Sequence, residues 1–396
     1  MSTRDSEDYI SDASNGIFWS LLLSSALIHI PLSLPGISTQ VALFDLILPV
    51  IAFRLIWREG FRVHFGVGNL IFAIILGVLL AHSLGIFLFK PAFQSSWLLK
   101  ETTKSAILII EFQMLLFLFK SKAHILPPIR TVNWIFIAAS VGIAVLAYIM
   151  LEDEPFFFAR TVYCVALTAV FFLLASDEEW THSQHRRWVL VAAGVLVAAI
   201  SILSLSKGIT GLVLTMTAWL ALSPSFRRVT AGHIVTIAVS ATLIAILGIL
   251  IAKLAGGSFE PLQRMDSIER SISVRLSLWT VGLNAFEDSF PWGLGLGQYW
   301  QAVVSDISLA REGHRFVHNS FISLIAELGL LGILYSAGLI ALVVTAARGW
   351  PPLLQPIFLL LVFVPLTIHD GHSIRMLLIV TALGLARYLY KTKNLD

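Results

Sequence analysis

The sequence contains few charged residues and almost no cysteine. Asp, Glu, Lys and Arg make up only 13% of its 396 residues, about half of the ~25% found in ordinary globular domains, which argues against a soluble protein. The single cysteine, Cys164, excludes an internal disulfide and any cysteine-based zinc or iron–sulfur site. The net charge of +3 is too small to favour nucleic acid as a partner. Apolar residues, in contrast, make up 57% of the chain and occupy nearly its whole length.

These apolar residues form runs long enough to cross the ~30 Å hydrocarbon core of a bilayer. We count about twelve such runs, which predicts an all-α, polytopic membrane protein with one transmembrane domain over residues 17–396. The predicted spans are 17–34, 41–57, 67–89, 105–119, 133–151, 157–176, 188–205, 209–222, 230–254, 320–346, 353–369 and 374–390. Residues 1–16 are polar and lack the basic start of a signal peptide, so we expect a cytoplasmic N-terminal tail.

The distribution of Lys and Arg predicts the orientation of these spans. When the N-terminus is placed in the cytoplasm, most basic residues of the short loops fall on the cytoplasmic side, as the positive-inside rule requires. An even number of spans then places the C-terminus in the cytoplasm as well. One connection is long, residues 255–319, and this topology exposes it to the periplasm. We expect the chemistry of the protein there.

The long periplasmic connection contains a predicted amphipathic helix. Apolar residues recur at helical spacing while charged residues occupy the other faces, which is typical of a helix in the membrane interface. The apolar positions are Leu276, Trp279, Leu283, Phe286 and Phe290. Pro291 ends this helix, and Gly293, Gly295 and Gly297 follow in a predicted tight turn. Such a turn is either a plain connection or a place where backbone amides meet an anion.

His318 stands where the tenth predicted span begins. Asn319 or Ser320 is the predicted N-cap of that helix. The positive end of the helix favours a neutral imidazole, which can take a proton from a hydroxyl near pH 7. Ser320, Ser323 and Glu327 continue as a polar stripe that we expect to face protein rather than lipid. The alternative is an interfacial histidine that is hydrogen-bonded to a neighbour.

Several ionisable residues lie within the predicted spans. Each costs about 2.5–3.5 kcal/mol on insertion scales, so such residues tend to be paired or functional. Five fall in the outer half or at the outer boundary of their spans, on the side of His318: Asp45, Glu111, Arg160, Lys207 and Arg375. One shared polar cavity would explain them, and its cations would suit a diphosphate. The alternatives are snorkelling ends, at Lys104 and Arg375, or ion pairs between helices, such as Lys104 with Glu111.

Three groups of potential metal ligands are present in the sequence. They are His314 with His318, His369 with His372, and the acidic triplet 152–154. Each is short of a full ligand set, and the HExxH pattern of zinc enzymes does not occur. We therefore predict no metal site.

Three sequence blocks carry a family resemblance. SLSKGITGLVL, RLSLWTVGLNAFEDSFPWGLGLGQYW and HNSFISLIAELGLLGIL follow one another within residues 190–345. Together they resemble the shared region of the O-antigen ligase and O-antigen polymerase superfamily. The resemblance implies a metal-independent membrane glycosyltransferase without a cofactor, active at the periplasmic face of the bacterial inner membrane. Its donor would be an undecaprenyl-diphosphate-linked glycan, transferred to a second glycan with inversion at the anomeric carbon.

The resemblance also implies roles for individual residues. By position, His318 matches the histidine that activates the acceptor hydroxyl, and Arg275 matches the arginine that opens the loop helix. We expect these two residues to be catalytic. The cations expected to bind the donor diphosphate are Arg160, Lys207, Arg264 and Arg315. The expected supporting residues are Asn319, Glu327 and Arg375.

Two reactions remain open within this resemblance. A ligase joins the glycan to lipid A core, whereas a polymerase joins it to a second lipid-linked repeat unit. Polymerases of the superfamily often have two sizeable outer loops, and this chain is predicted to have one. The loop pattern therefore favours the ligase.

A transporter or flippase for lipid-linked sugars is the alternative from a different class. About twelve spans with both termini inside would fit it. The connection after the sixth predicted span, 177–187, is short, however, and no internal repeat relates the two halves of the sequence. The charges also gather at the outer side rather than near the midplane, where transporter sites lie.

Overall fold

The structure is a computed structural model that describes part of the chain. The described residues are 25–26, 29–34, 37–59, 67–89, 95–121, 207–222, 267–305, 318–352, 354–368 and 375–393, with short helical pieces between 164 and 198. The predicted spans 133–151 and 230–254 lie outside these residues. The predicted spans 17–34, 157–176 and 188–205 lie within them only in part.

Helices dominate the described residues, as the sequence predicted. They are α1 (Leu43–Glu59), α2 (Val67–Phe89), α3 (Ser95–Ser121), α4 (Lys207–Leu222), α5 (Ser267–Ser289), α6 (Tyr299–Ser305), α7 (Ser320–Leu328), α8 (Leu330–Ala347), α9 (Gln355–Ile368) and α10 (Arg375–Lys393). Among the described residues, three segments are long and apolar enough to cross a membrane: Leu70–Phe89, Trp97–Phe119 and Leu330–Ala347. The total of about twelve spans and the periplasmic position of the long connection stay predictions.

A two-stranded hairpin precedes α1. The antiparallel strand β1 (His29–Leu34) lies at the end of the first predicted span. Its partner β2 (Ile37–Ala42) begins in the predicted connection and overlaps the second predicted span at residues 41–42. The Pro35–Gly36 pair explains the difference, because proline cannot continue a helix and a Pro-Gly pair favours a turn. The helical prediction for residues 29–34 and 41–42 is therefore wrong.

The main core lies where α1, α3, α8, α9 and α10 pack together. Trp350, which follows α8, is fully buried, and its ring meets Phe172 edge-on with 4.9 Å between centroids. The guanidinium carbon of Arg387 in α10 lies 4.5 Å from the centre of the Trp350 ring. A Cβ at Gly384 would lie 2.6 Å from the carbonyl oxygen of Ala346, so this glycine allows α10 and α8 to approach closely. Close packing of this kind holds helices together when the surrounding lipid is as apolar as the core.

The amphipathic helix predicted in the long connection is present as α5, and it ends at Ser289, before Pro291. The face that packs against α7 contains Leu278, Gly282 and Ala285, all buried. A Cβ at Gly282 would lie 2.7 Å from Cγ2 of Ile322, so this glycine allows the two helices to approach closely.

A second apolar face of α5 points away from the protein. It contains Leu276 and Leu283, which are 53% and 47% exposed. Phe290 and Trp292, just after the helix, are 58% and 64% exposed. These residues belong largely to the stripe that the sequence singled out. Large apolar side chains left outward suit the interface between headgroups and acyl chains.

The predicted tenth span, 320–346, is two helices rather than one. α7 ends at Leu328, and Gly329, with φ of 62°, separates it from α8. A side chain at this position would collide with the carbonyl oxygen of Pro291, so both the conformation and the close approach require glycine. The end of α7 is thus held by the chain that packs around Gly329. α8 by itself is long and apolar enough to cross a membrane.

Candidate active site

Asn319 caps α7. Its side-chain oxygen accepts hydrogen bonds from the amides of Phe321, at 3.0 Å, and Ile322, at 3.2 Å. Asparagine is among the best N-cap residues because its short side chain satisfies amides that have no partner within the helix. The sequence named Asn319 as one of two cap candidates, and the structure selects it over Ser320, which is the first helical residue.

His318 immediately precedes this cap. Its backbone has φ of 54°, the left-handed conformation, and its side chain is half-buried with Nδ1 shielded from solvent. Few residues other than glycine adopt this conformation, although Asn, Asp and His do so more often than most. The residue therefore stands beside the positive end of α7, as predicted. Negative charge that develops near it would be stabilised there.

The polar stripe on α7 faces protein. Ser320 and Glu327 are buried, and Ser323 is half-buried. The carboxylate of Glu327 accepts a hydrogen bond from the backbone amide of Tyr299, with 3.3 Å between nitrogen and oxygen. Burial and the Glu327 carboxylate raise the pKa of Tyr299, whose hydroxyl donates to the carbonyl of Leu278 at 2.6 Å. Glu327 thus supports the start of α6, a contact that sequence spacing could not reveal.

The glycine turn after α5 packs on the joint between α7 and α8. The amides of Leu294 and Gly295 donate to the carbonyls of Ala326 and Glu327 at 2.9 and 2.8 Å, and the amide of Leu330 donates to the carbonyl of Pro291 at 2.9 Å. Further turn amides donate to carbonyls nearby: those of Trp292, Gly293 and Gln298. Of the two predicted roles for this turn, the geometry favours the structural connection over the anion cradle.

A histidine that the sequence analysis did not select binds the same turn. His82 of α2 is buried, and its Nε2 lies 2.7 Å from the carbonyl oxygen of Trp292. A polar side chain in the middle of an apolar run is costly without a partner, and that is the signal that could have identified it. Its partner, a backbone carbonyl 210 residues away, follows only from the fold.

Arg275 lies in α5, half-buried, at the start of the second sequence block. Burial lowers its pKa, yet a guanidinium stays protonated throughout the physiological range. Within the described part of the chain, no carboxylate forms an ion pair with it. Arg275 can therefore offer a cation on the same packed unit that contains α7.

Three of the five ionisable residues that the sequence analysis assigned to the outer halves of the spans form one cluster. Nε and Nη2 of Arg375 each lie 2.8 Å from an oxygen of Asp45, in a bidentate pair. Nε also lies 3.4 Å from Oε2 of Glu111, whose residue is 2% exposed. The cluster joins α1, α3 and α10. Nζ of Lys104 lies 3.4 Å from a carboxylate oxygen of Glu101. The ion pair of Lys104 with Glu111, which the sequence analysis offered as an alternative, is therefore wrong.

The remaining predicted cations are less well placed by the structure. Arg160, Arg264 and Arg315 lie outside the described residues, as do the metal-ligand candidates His314, His369 and His372. Lys207 is the first residue of α4. The shared cavity for a diphosphate therefore stays a prediction. In the part of the chain that the structure describes, no three His, Cys, Asp or Glu side chains lie close enough together to hold a metal ion.

The apolar helices, with polar residues gathered around the start of α7, define a membrane protein of the helical class. Residues 192–337 match the family model for O-antigen ligase, and this stretch contains all three sequence blocks. The match covers less than half of the chain, and it supports the resemblance of this region to the O-antigen ligase and polymerase superfamily. The comparisons with curated proteins and with solved structures returned no match.

Proposed function

We propose that this protein is a metal-independent, inverting glycosyltransferase of the bacterial inner membrane. It moves a glycan from undecaprenyl diphosphate to an acceptor sugar at the periplasmic face, and its most favoured acceptor is lipid A core. Both termini are cytoplasmic. The observation that carries the proposal is the position of His318 beside the capped start of α7, inside the region that matches the O-antigen ligase family.

The proposed step needs one base and several cations. The acceptor hydroxyl oxygen attacks the anomeric carbon while its proton passes to the neutral imidazole of His318. The bond between that carbon and the diphosphate oxygen breaks, and undecaprenyl diphosphate leaves with the bonding electrons. The positive end of α7 favours the neutral form of the imidazole before the reaction.

Fixed cations stabilise the negative charge that grows on the leaving diphosphate. We assign this role to Arg275, with Arg160, Lys207, Arg264 and Arg315 as further diphosphate ligands. Arginine suits phosphate because its planar fork of donors forms two parallel hydrogen bonds. Asn319 and Glu327 act indirectly, since the first caps α7 and the second contacts the start of α6.

A reconstituted transfer assay tests the proposal. Purified protein in vesicles receives a polyprenyl-diphosphate glycan together with either lipid A core or a second lipid-linked glycan, with and without a chelator. We expect transfer to lipid A core that persists in the chelator. Loss of transfer in the chelator would contradict the metal-independent mechanism.

The same assay separates the alternatives. A product formed only with the second lipid-linked glycan would identify a polymerase and overturn the ligase assignment. Movement of the donor across the vesicle membrane without any new glycosidic bond would identify a flippase and overturn the enzyme proposal.

A further inference from the structure

His82 joins two parts of the chain that are distant in sequence. It lies in the third predicted span, now α2, and only 8% of its surface is exposed. Its Nε2 is 2.7 Å from the carbonyl oxygen of Trp292. A carbonyl can only accept, so Nε2 is the nitrogen that carries the hydrogen. Nδ1 is also buried and has no hydrogen-bond partner among the described residues.

The turn that His82 contacts is bound to the far end of α7. Just after Trp292, the amides of Leu294 and Gly295 donate to the carbonyls of Ala326 and Glu327. Both carbonyls belong to the last turn of α7. The opposite end of this nine-residue helix begins beside His318. A short hydrogen-bonded helix transmits a displacement of one end to the other because its backbone geometry is fixed.

Apolar packing seats the turn on the same helices. Leu296 is buried in a cluster with Ile86 of α2, Leu98 of α3 and Leu324 of α7. A Cβ at Gly295 would lie 2.8 Å from Cγ2 of Ile86, one helical turn after His82. Apolar packing has no preferred direction, so it holds the turn against α2 without fixing its position along the helix. The hydrogen bond from His82 is directional, and it fixes that position.

We propose that His82 is a positioning residue for the transfer reaction: through the carbonyl of Trp292 it fixes the glycine turn, and through the turn it fixes the helix that starts beside His318. The inference rests on the proposed function, because it assigns His82 to the same reaction. His82 itself touches no reacting atom in this scheme. It acts on the rate of the chemical step, which is sensitive to displacements of about 1 Å.

Four variants test this inference. His82→Ala removes the donor, and His82→Asn shortens the side chain so that its amide cannot reach as far as Nε2. His82→Gln keeps an N–H donor at about the reach of Nε2. Thr102→Val is the matched control. It breaks the buried hydrogen bond of 3.0 Å between Thr102 and Ser83, the residue after His82, and it removes none of the hydrogen bonds of the turn.

Two measurements are made on each variant in vesicles: amide hydrogen exchange of the peptide covering residues 290–298, and kcat and KM for transfer. We expect faster exchange and a kcat lowered by at least about tenfold in His82→Ala and His82→Asn, with KM within about twofold. His82→Gln should restore both quantities towards those of the unmodified protein, and Thr102→Val should leave both unchanged.

The outcomes that overturn the inference are distinct from failure of the proposed function. Unchanged exchange in His82→Ala, equal losses in His82→Gln and His82→Asn, or an equal loss in Thr102→Val would each refute it. If His82→Ala does not fold, the inference is tested by the comparison of His82→Gln with His82→Asn alone. If the unmodified protein transfers no glycan, the proposed function fails and with it the positioning role, although the exchange measurement still reports whether His82 anchors the turn.

Discussion

At the scale of single residues, His318 combines an unusual backbone with a chemically useful side chain. Its left-handed φ of 54° is tolerated by Asn as well as by His. The backbone before α7 can therefore keep its conformation when the imidazole is removed, provided that the replacing residue tolerates a positive φ.

His318→Asn should lower the transfer rate by about 10²–10⁴-fold, the usual contribution of a general base, while the melting temperature stays close to that of the unmodified protein. His318→Ala should lose activity equally and melt lower. The measurements are initial rates and thermal unfolding in detergent. Transfer by His318→Asn at the unmodified rate would remove the imidazole from the mechanism.

The cluster of Arg375 with Asp45 and Glu111 leads to a second prediction. Nε of an arginine carries a single hydrogen, and here it points to Asp45 at 2.8 Å, so Glu111 at 3.4 Å has only an ionic contact. Arg375→Ala leaves the buried carboxylate of Glu111 and the half-buried carboxylate of Asp45 without this cation, and it should destabilise the fold by about 3–5 kcal/mol.

Glu111→Gln is the matched variant and should cost far less, because it removes one carboxylate and leaves the bidentate pair intact. Thermal unfolding of both variants measures the difference. An unchanged melting temperature for Arg375→Ala, together with lost transfer, would instead place Arg375 at the substrate.

The sequence predicted residues whose role is local and missed those whose partner is distant. Asn319 was identifiable as a cap because capping depends on the next three residues. His82 and the amide of Tyr299 bind groups on other elements, and no periodicity encodes such pairs. Arg375 was noted as an outer charge, yet its pairing with Asp45, 330 residues away, required the fold.

At the scale of elements, α5 shows what hydropathy can and cannot predict. The helix and its end before Pro291 followed from the sequence. The packing face did not, because small residues such as Gly282 and Ala285 score weakly in an apolar pattern yet allow α7 to come close. Likewise, the apolar pattern of the predicted tenth span gave no sign of the break at Gly329, because this break depends on the approach of Pro291.

Gly329→Ala and Gly338→Ala form a matched pair across this break. Gly329 has a positive φ, and a Cβ there would collide with the Pro291 carbonyl, so the alanine variant should lose at least about 1–3 kcal/mol. A Cβ added at Gly338, inside α8, would meet no neighbouring atom within 4 Å, and alanine there should be neutral or stabilising. Thermal unfolding compares them, and equal melting temperatures would contradict the role assigned to the joint.

At the scale of the whole molecule, counting apolar runs predicted a helical membrane protein, and three described helices agree with it. The helical assignment was wrong at residues 29–34, which form the first strand of a hairpin. Hydropathy measures transfer into lipid, and it does not distinguish a helix from a short strand when prolines interrupt the run.

The predicted topology is testable with a thiol reagent that does not cross membranes. Glu287→Cys places a thiol on an exposed position of α5, and Lys391→Cys places one on an exposed position near the end of α10. The native Cys164 is 2% exposed and should react slowly. We expect Glu287→Cys to react in intact spheroplasts and Lys391→Cys only after lysis; the reverse pattern would exclude a periplasmic active site.

The hydrogen bonds between the glycine turn and α7 have a consequence for how the glycan donor binds. Since the amides of Leu294 and Gly295 are bonded to α7, a diphosphate at this surface would depend on side-chain cations such as Arg275. Attraction between charged groups near water weakens as the Debye length falls from about 10 Å at 0.1 M salt to about 3 Å at 1 M. The apparent affinity for the glycan donor should therefore decline steeply with ionic strength. Measuring KM for the donor at increasing salt concentration would show whether ammonium and guanidinium groups provide most of the binding energy.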